Sequence, residues 1–313
     1  MPMTRMALVP VVLWLGLGGG VLAPEGSRQE AGGGNSPARI QCSRDTRMVR
    51  VPAGTVLLGE DGEGREGRSV EVPEFWIDSH EVTNGQFAAF VAATGYVTEA
   101  EREGGSAVFV PPPHWDGSLD SAQWWRFRPG ASWRHPEGPE STIDGKDWYP
   151  VVHVTFADAA AYARWKGAEL PDVVQWERAA RAEQRAGRDP LSWAFDAQGR
   201  PIANTWQGIF PMRDTGQDRH TGIAPVGCFQ ANSLGVRDMI GNVWEWTRSS
   251  APSMAGSRLL KGGSYLCSMN YCANFRAAAF QAQEQDLGAS HIGFRTVRRA
   301  PPSPAARKTA SMR

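Results

Sequence analysis

The chain has 313 residues, with 33 Lys plus Arg against 33 Asp plus Glu, and a formal net charge of zero. At about one domain per 100–200 residues, this length predicts one large domain or two small ones. The balanced charge argues against the basic surface by which nucleic acid is bound, and no acidic run marks a solvated tail. Thirteen Trp, 35 Gly and 22 Pro fit a loop-rich globular fold in which large aromatics serve as core filler.

The first residues read MPMTRMALVPVVLWLGLGGGVLAPEGSRQE. Arg5 precedes an apolar run that ends at Ala23, so residues 1–23 read as a secretory signal and the chain as exported to a periplasmic, secreted or ER-type lumen. Pro10 and Gly18, Gly19 and Gly20 interrupt the run, which argues against a stable membrane span. Residues 24–45, rich in Gly, Ser and charge, read as a linker. In MVRVPAGTVLLGE apolar and small residues alternate from Met48 on, as in a half-buried strand with a turn.

FWIDSHEVTNGQFAAFVAATG predicts a strand followed by a helix. Thr83 caps the helix with Gln86 three residues on, Phe87, Phe90 and Val91 share a face, and Gly95 ends it. VVHVTFADAAAYARWKG predicts a second helix, with Thr155 as cap, Asp158 in the first turn, Ala159, Tyr162 and Ala163 on one face, and Gly167 as stop. LPDVVQWERAARA gives a third, capped by Asp172 with Gln175 closing a capping box and Trp176, Ala179 and Ala180 inward. Beyond about residue 185 the helical period disappears into short strands, Gly turns and aromatics. The tail from 300 to 313 is Pro-rich, basic and predicted disordered. The reading is a single irregular α+β domain over residues 46–299.

The six His (80, 114, 135, 153, 220 and 291) form no paired ligand spacing, and no GxSxG, P-loop or dinucleotide fingerprint is present. The chemistry centres on KGGSYLCSMNYCANFR, where Cys267 and Cys272 accompany only two other cysteines, Cys42 and Cys228. In an exported chain such a pair reads first as a small disulfide loop; a soft-metal site and a reactive thiol are the alternatives. Of the three possible pairings, Cys42–Cys228 with Cys267–Cys272 is the least demanding. As a metal site, two thiolates without clustered imidazole suit a soft ion such as Cu(I), whereas zinc needs two more donors. Spacing alone leaves the alternatives open. In GVRDMIGNVWEWTRS, Asp238, Asn242 and Glu245 offer oxygens to a hard cation such as calcium and Gly241 lets the backbone approach. Against this stands plain turn bonding, with Glu245 paired to an arginine. The same choice applies to Asn204 and Asp218 in ANTWQGIFPMRDTGQDRHTG.

Together the segments MVRVPAGTVLLG, FWIDSHEVTNGQFAAFVAATGYVTEAE, WRHPEGPESTI, PVVHVTFADAAAYARWKGAELPDVVQWERAAR, ANTWQGIFP, GNVWEWTRS, KGGSYLCSMNYC and IGFR resemble the formylglycine-generating enzymes, or sulfatase-modifying factors, from about Met48 to Arg298. The resemblance implies an irregular α+β fold related to C-type lectins. It also implies oxidation by O2 of a cysteine in an unfolded or extended C-x-P-x-R segment of a sulfatase to Cα-formylglycine, with a thiol reductant, by a monomer. By position, it makes Cys267 and Cys272 Cu(I) ligands, places Ser264 and Tyr271 in the pocket, and has Trp244 wall the oxygen site. It implies one Ca2+ on Asn204, the Thr205 carbonyl, Asp218 and the His220 carbonyl. A second would sit on Asp238, the Gly241 and Val243 carbonyls and Glu245. The chain departs from the family pattern at Ser268 (usually His), Phe280 (Arg), Gln283 (Asn) and His291 (Asn), positions expected to border the substrate groove. Replacing a guanidinium by Phe280 removes five fixed donors.

Overall fold

The computed structural model describes residues 42–59, 67–114, 117, 124–182, 190–252 and 254–300. The predicted signal, the linker up to residue 41 and the tail from 301 lie outside the described residues, and no helix among those described is long and apolar enough to cross a membrane. Residues 42–45 of the predicted linker are fastened to the body. Cys42 forms a disulfide with Cys228, Ser43 N–H donates to the Gly227 carbonyl at 2.9 Å, and the Ser79 hydroxyl donates to the Asp45 carbonyl at 2.6 Å.

The predicted strand after Met48 is two, β1 (Met48–Val51) and β2 (Gly54–Leu58), divided at Pro52, which has no N–H to give a ladder. β3 (Arg68–Val72) pairs with β2, and β4 (Phe75–Asp78) pairs with β1. The helices begin where their caps predict. In α1 (Asn84–Thr94) Thr83 and Gln86 complete a reciprocal capping box, and Gly95 closes it in the left-handed region. A four-residue helix not foreseen from sequence, α2 (Glu99–Arg102), is capped by Thr98 and Glu101. It leads into the hairpin of β5 (Gly105–Phe109) and β6 (Trp125–Pro129).

The third and fourth helices, α3 (Phe156–Trp165) and α4 (Val173–Arg181), start at the expected Thr155 and Asp172 boxes. The inward face of α4 is wider than the Trp176, Ala179 and Ala180 stripe, because Glu177 and Arg181 are buried too. Glu177 is neutralised there by Lys261 at 2.8 Å and by Arg181 at 3.3 Å, the pairing that burial of charge demands.

After residue 190 come the short strands β7 (Gly208–Ile209) and β8 (Arg213–Asp214), then β9 (Trp244–Ser250), β10 (Ser257–Lys261), β11 (Phe280–Glu284), β12 (Ile292–Gly293) and β13 (Val297–Arg299). β7 and β8 pair with each other, β9 to β12 form a four-stranded sheet in the order β11-β10-β9-β12, and β13 returns to β4 in the sheet β1-β4-β13. Phe87, Trp133, Tyr162 and Phe294 pack together between α1, α3 and the chain end, Phe87 stacked on Tyr162 and the other pairs edge to face. Trp176, Trp244 and Trp246 belong to the same core. This sheet carries the cysteine loop between β10 and β11 and sets the chain before β12 beside it.

Candidate active site

Residues 262–279 leave β10 as an irregular loop. Gly263 makes the first bend with φ +76, and a Cβ there would lie 2.9 Å from the Asn274 carbonyl and 3.3 Å from the Cys267 sulfur. Only glycine lets the two ends of the loop meet so closely. The Tyr265 N–H donates to the Asn242 carbonyl at 2.9 Å and the Trp206 N–H to the Cys267 carbonyl at 2.9 Å. The Asn270 carboxamide exchanges two bonds with the Phe210 backbone, at 3.1 and 3.2 Å. Hydrogen bonds thus fix the loop to two other segments.

Within it Cys267 and Cys272 are both free thiols, with sulfurs 3.2 Å apart. Of the least demanding disulfide pairing, the Cys42–Cys228 half forms and the Cys267–Cys272 half does not. Burial pushes the Cys267 thiol well up. Cys272 moves down, chiefly through the bond from Cys267 and also through the backbone and side chain of Asn274, whose Nδ2 lies 3.1 Å from the sulfur. The two thiols are thus unequal, Cys267 pushed up and Cys272 down, and the pair sits at the wall of a cavity of about 780 Å³.

Ser264, Tyr271 and Trp244 line the same cavity, so the five pocket residues named from sequence share one space. Ser264 is fully buried, its N–H 3.4 Å from the Cys267 sulfur and its hydroxyl oxygen accepting from the Leu266 N–H. Tyr271 stacks on Phe210 at 4.6 Å and meets Trp124 edge-on at 4.9 Å; burial raises its hydroxyl pKa, so it remains a donor. Of the four departures from the family pattern, Gln283 and His291 line the cavity, whereas Phe280 and Ser268 are not part of its wall. Phe280 is half-exposed on β11 while its neighbours Gln281 and Gln283 face the cavity, as strand alternation dictates. Ser268 is buried and donates to Asn270.

The sequence reading missed Asn274 as a sulfur ligand partner, and also the aromatic wall of Trp124, Trp125 and Phe210. The available signal for Asn274 was an amide two residues after the second cysteine. The wall comes from segments distant in sequence and left no local pattern.

The donor set suits a soft two-ligand ion: two free sulfurs share the cavity wall, and no group of three or more His, Cys, Asp or Glu that could hold a metal occurs among the described residues. At the first calcium position implied by the resemblance, Asp218 and the Thr205 carbonyl both accept from the Gln207 Nε2. Asp218 is buried and its pKa raised by that burial. Asn204 uses its Nδ2 on the Gly222 carbonyl and on Asn242. The His220 N–H, not its carbonyl, reaches Asp218. The Asp218 carboxylate accepts from the Thr205 and His220 N–H groups and from Gln207 Nε2, so a hard cation here would take the place of the Gln207 amide between Asp218 and the Thr205 carbonyl.

The second set does not fit. The Glu245 carboxylate is taken by the Arg295 guanidinium at 2.7 and 2.8 Å and by Trp176 Nε1 at 2.8 Å, and Arg295 also donates to the Asp238 carbonyl. Gly241 lies so close to the Asn204 carbonyl that a Cβ would meet it at 2.1 Å. Beside it the buried Val243 belongs to the core. The positive charge opposite Glu245 is thus an arginine, the turn-and-ion-pair alternative read from sequence. Burial pushes the nearby Asp238 carboxyl up to about 6.

Residues 36–300 match the family described as the sulfatase-modifying factor enzyme 1-like domain. The chain is 44% identical to the formylglycine-generating enzyme of Thermomonospora curvata, over 79% of this chain and 92% of that protein. It is 39% identical to the mouse enzyme of the same name, over 80% and 74%. It is also 38% identical to a mouse protein named inactive Cα-formylglycine-generating enzyme 2, over 81% and 86%. Among solved structures, PvdO from Pseudomonas aeruginosa matches with a TM-score of 0.57 at 22% identity, covering 81% of this chain and 94% of that one, a likeness of fold alone.

Proposed function

We propose, from the premise that this chain belongs to the formylglycine-generating-enzyme family, that it is the active kind of member and converts a cysteine of a sulfatase segment to Cα-formylglycine. The observation that carries this reading is the free Cys267–Cys272 pair, 3.2 Å apart on the wall of a large cavity. Overall identity does not separate active from inactive relatives, since both kinds match at similar levels. The site chemistry has to decide.

The reaction turns a –CH2–SH side chain into –CHO. Carbon gives up two electrons and the sulfur leaves as sulfide; O2 accepts four electrons and becomes water, so a thiol reductant supplies the other two. No side chain in this cavity is a redox centre for O2. Cys267 and Cys272 are the residues that would hold Cu(I), and bound there it would supply the one-electron and oxygen chemistry that the protein lacks. The chain's own part is binding and electrostatics. Asn274 and Ser264 orient the two sulfurs through hydrogen bonds. Trp124, Phe210 and Tyr271 wall the space against water on one side, and the protonated Tyr271 hydroxyl remains available as a donor.

Calcium at Asp218 and Thr205 would brace the segment that Asn270 ties to the cysteine loop. The Cys42–Cys228 disulfide supports export to an oxidising compartment, where the enzyme would act as a monomer on an extended, cysteine-bearing sulfatase segment.

The test is incubation of the copper-supplemented protein with C-x-P-x-R peptides, O2 and a thiol. Appearance of an aldehyde, trapped by a hydrazine and located by mass at the cysteine, is the expected outcome. Full retention of the peptide thiol across a library of such peptides rejects the reading.

A further inference from the structure

The turn between β7 and β8 and the tip of the cysteine loop are joined at the edge of the cavity. The Met212 N–H closes the turn on the Ile209 carbonyl at 2.8 Å, and the Asn270 carboxamide holds Phe210, within that turn, by both its backbone groups. Phe210 and Tyr271 stack at 4.6 Å and line the cavity. With Trp124, Trp206 and Leu266, Phe210 forms a small apolar core of its own. The large apolar side chains beside this pair are instead left in water. Ile209 is 59% exposed, Met212 41% and Met269 55%, and none of the three belongs to either apolar core.

Side chains that pack nothing, yet stand together beside a cavity, mark an interaction surface. Two of them are methionines, whose unbranched, flexible chains adapt to differing partners. The same character recurs elsewhere on the rim, where Phe127 and Leu287 line the cavity and are themselves at least half exposed.

What covers the patch follows from its place. Cys267 is buried and the pair of thiols sits in the cavity wall, so a substrate cysteine has to enter the cavity, and the residues on either side of it cross the rim. A segment that is extended because its protein has not yet folded carries uncovered the apolar side chains of its future core. A second copy of this chain fits less well, because three side chains expose a few hundred Å² at most, against about 800 Å² per partner in a stable dimer.

We propose that Ile209, Met212 and Met269 form an apolar docking surface for residues flanking the target cysteine of an unfolded sulfatase, outside the C-x-P-x-R core. The inference rests on the reading given under the proposed function and adds to it a second determinant of substrate choice, the apolar character of the flanks.

The experiment uses the full-length, copper-supplemented protein and three synthetic substrates. One is a short C-x-P-x-R peptide, the second carries the same core between long Leu- and Val-rich flanks, and the third between Ser- and Gly-rich flanks of equal length. Wild type should show a KM about tenfold lower for the apolar-flanked peptide than for the other two, the scale of one hydrophobic contact, with kcat alike for all three. The triple variant Ile209→Ser/Met212→Ser/Met269→Ser should process the three peptides with KM values within about twofold of one another. Melting temperatures are recorded alongside. If the triple variant fails to fold, Ile209→Ser and Met212→Ser singly should each narrow the preference to about threefold. No preference for apolar flanks in wild type, or the full preference retained in the variants, overturns the inference and leaves the oxidase reading intact. So does a wild-type dimer in sedimentation velocity that the variant dissociates, which would assign the patch to a second copy. Absence of aldehyde from all three peptides with wild type overturns the reading, and this surface with it.

Discussion

The Asn274 side-chain amide donates to the Cys272 sulfur at 3.1 Å, and the Cys267 sulfur lies 3.2 Å from the same atom. The contact with Cys267 and the bonds from Asn274 move the Cys272 thiol down while burial moves Cys267 up, so the two cysteines of the loop are unequal before any ligand arrives. In the metal-free protein, alkylation by iodoacetamide should therefore label Cys272 first, with its rate rising at a pH below that of an ordinary thiol. Asn274→Ala should move that rise to higher pH. Equal labelling of both cysteines, or an unchanged profile in the variant, would contradict the assignment.

Gly263 has no substitute. Ala at this position meets the Asn274 carbonyl and adopts a φ of +76, so Gly263→Ala should destabilise the fold by about 1–3 kcal/mol and open the cysteine loop. Urea unfolding gives the first effect. The second would appear as alkylation of Cys267, buried in the native protein, at a rate approaching that of Cys272.

Arg295 and Glu245 form a buried bidentate pair between the last strands and β9, both essentially unexposed. Glu245→Gln leaves the guanidinium buried without its countercharge and should cost about 3–5 kcal/mol. If Glu245 instead served a calcium ion, added calcium would raise the melting temperature of wild type and not of the variant. We expect no such calcium-dependent difference between them.

Two buried histidines make stability pH-dependent. Burial lowers His153 to about 4 and His291 to about 3, against about 6.5 in the unfolded chain. Above pH 6.5 both states are neutral and neither histidine contributes. As pH falls below 6.5 the unfolded state takes up protons first, so stability declines, by about 2 kcal/mol per histidine at pH 5. His153 has a left-handed φ of 58, which Asn tolerates. In urea titrations His153→Asn should lose less stability than wild type between pH 7 and pH 5; parallel losses would refute this.

The helices were legible because their information is local. Thr83 with Gln86 and Asp172 with Gln175 each mark a start within four residues, and the structure places both boxes there. The five pocket residues Cys267, Cys272, Ser264, Tyr271 and Trp244 came from the family resemblance, and they share one cavity. The state of the two thiols was not legible. A C-x4-C spacing permits a bridge, and only the bend at Gly263 and the bonds from Asn270 show how the loop holds the sulfurs. Nor was the Arg295–Glu245 pair decidable from sequence, since the same Glu suits an ion or a guanidinium. The contact of Trp125 with His291 joins β6 to the chain before β12, and no periodicity reports so distant a meeting.

The proposed oxidase needs Cys267 and Cys272 to hold one Cu(I) together. A competition titration of the anaerobic, fully reduced protein against a chromophoric Cu(I) chelator tests it. Wild type should withdraw one equivalent of Cu(I) from the chelator, and that binding should be lost in both Cys267→Ser and Cys272→Ser. Failure of the reduced wild type to compete, or undiminished binding in either serine variant, would contradict it.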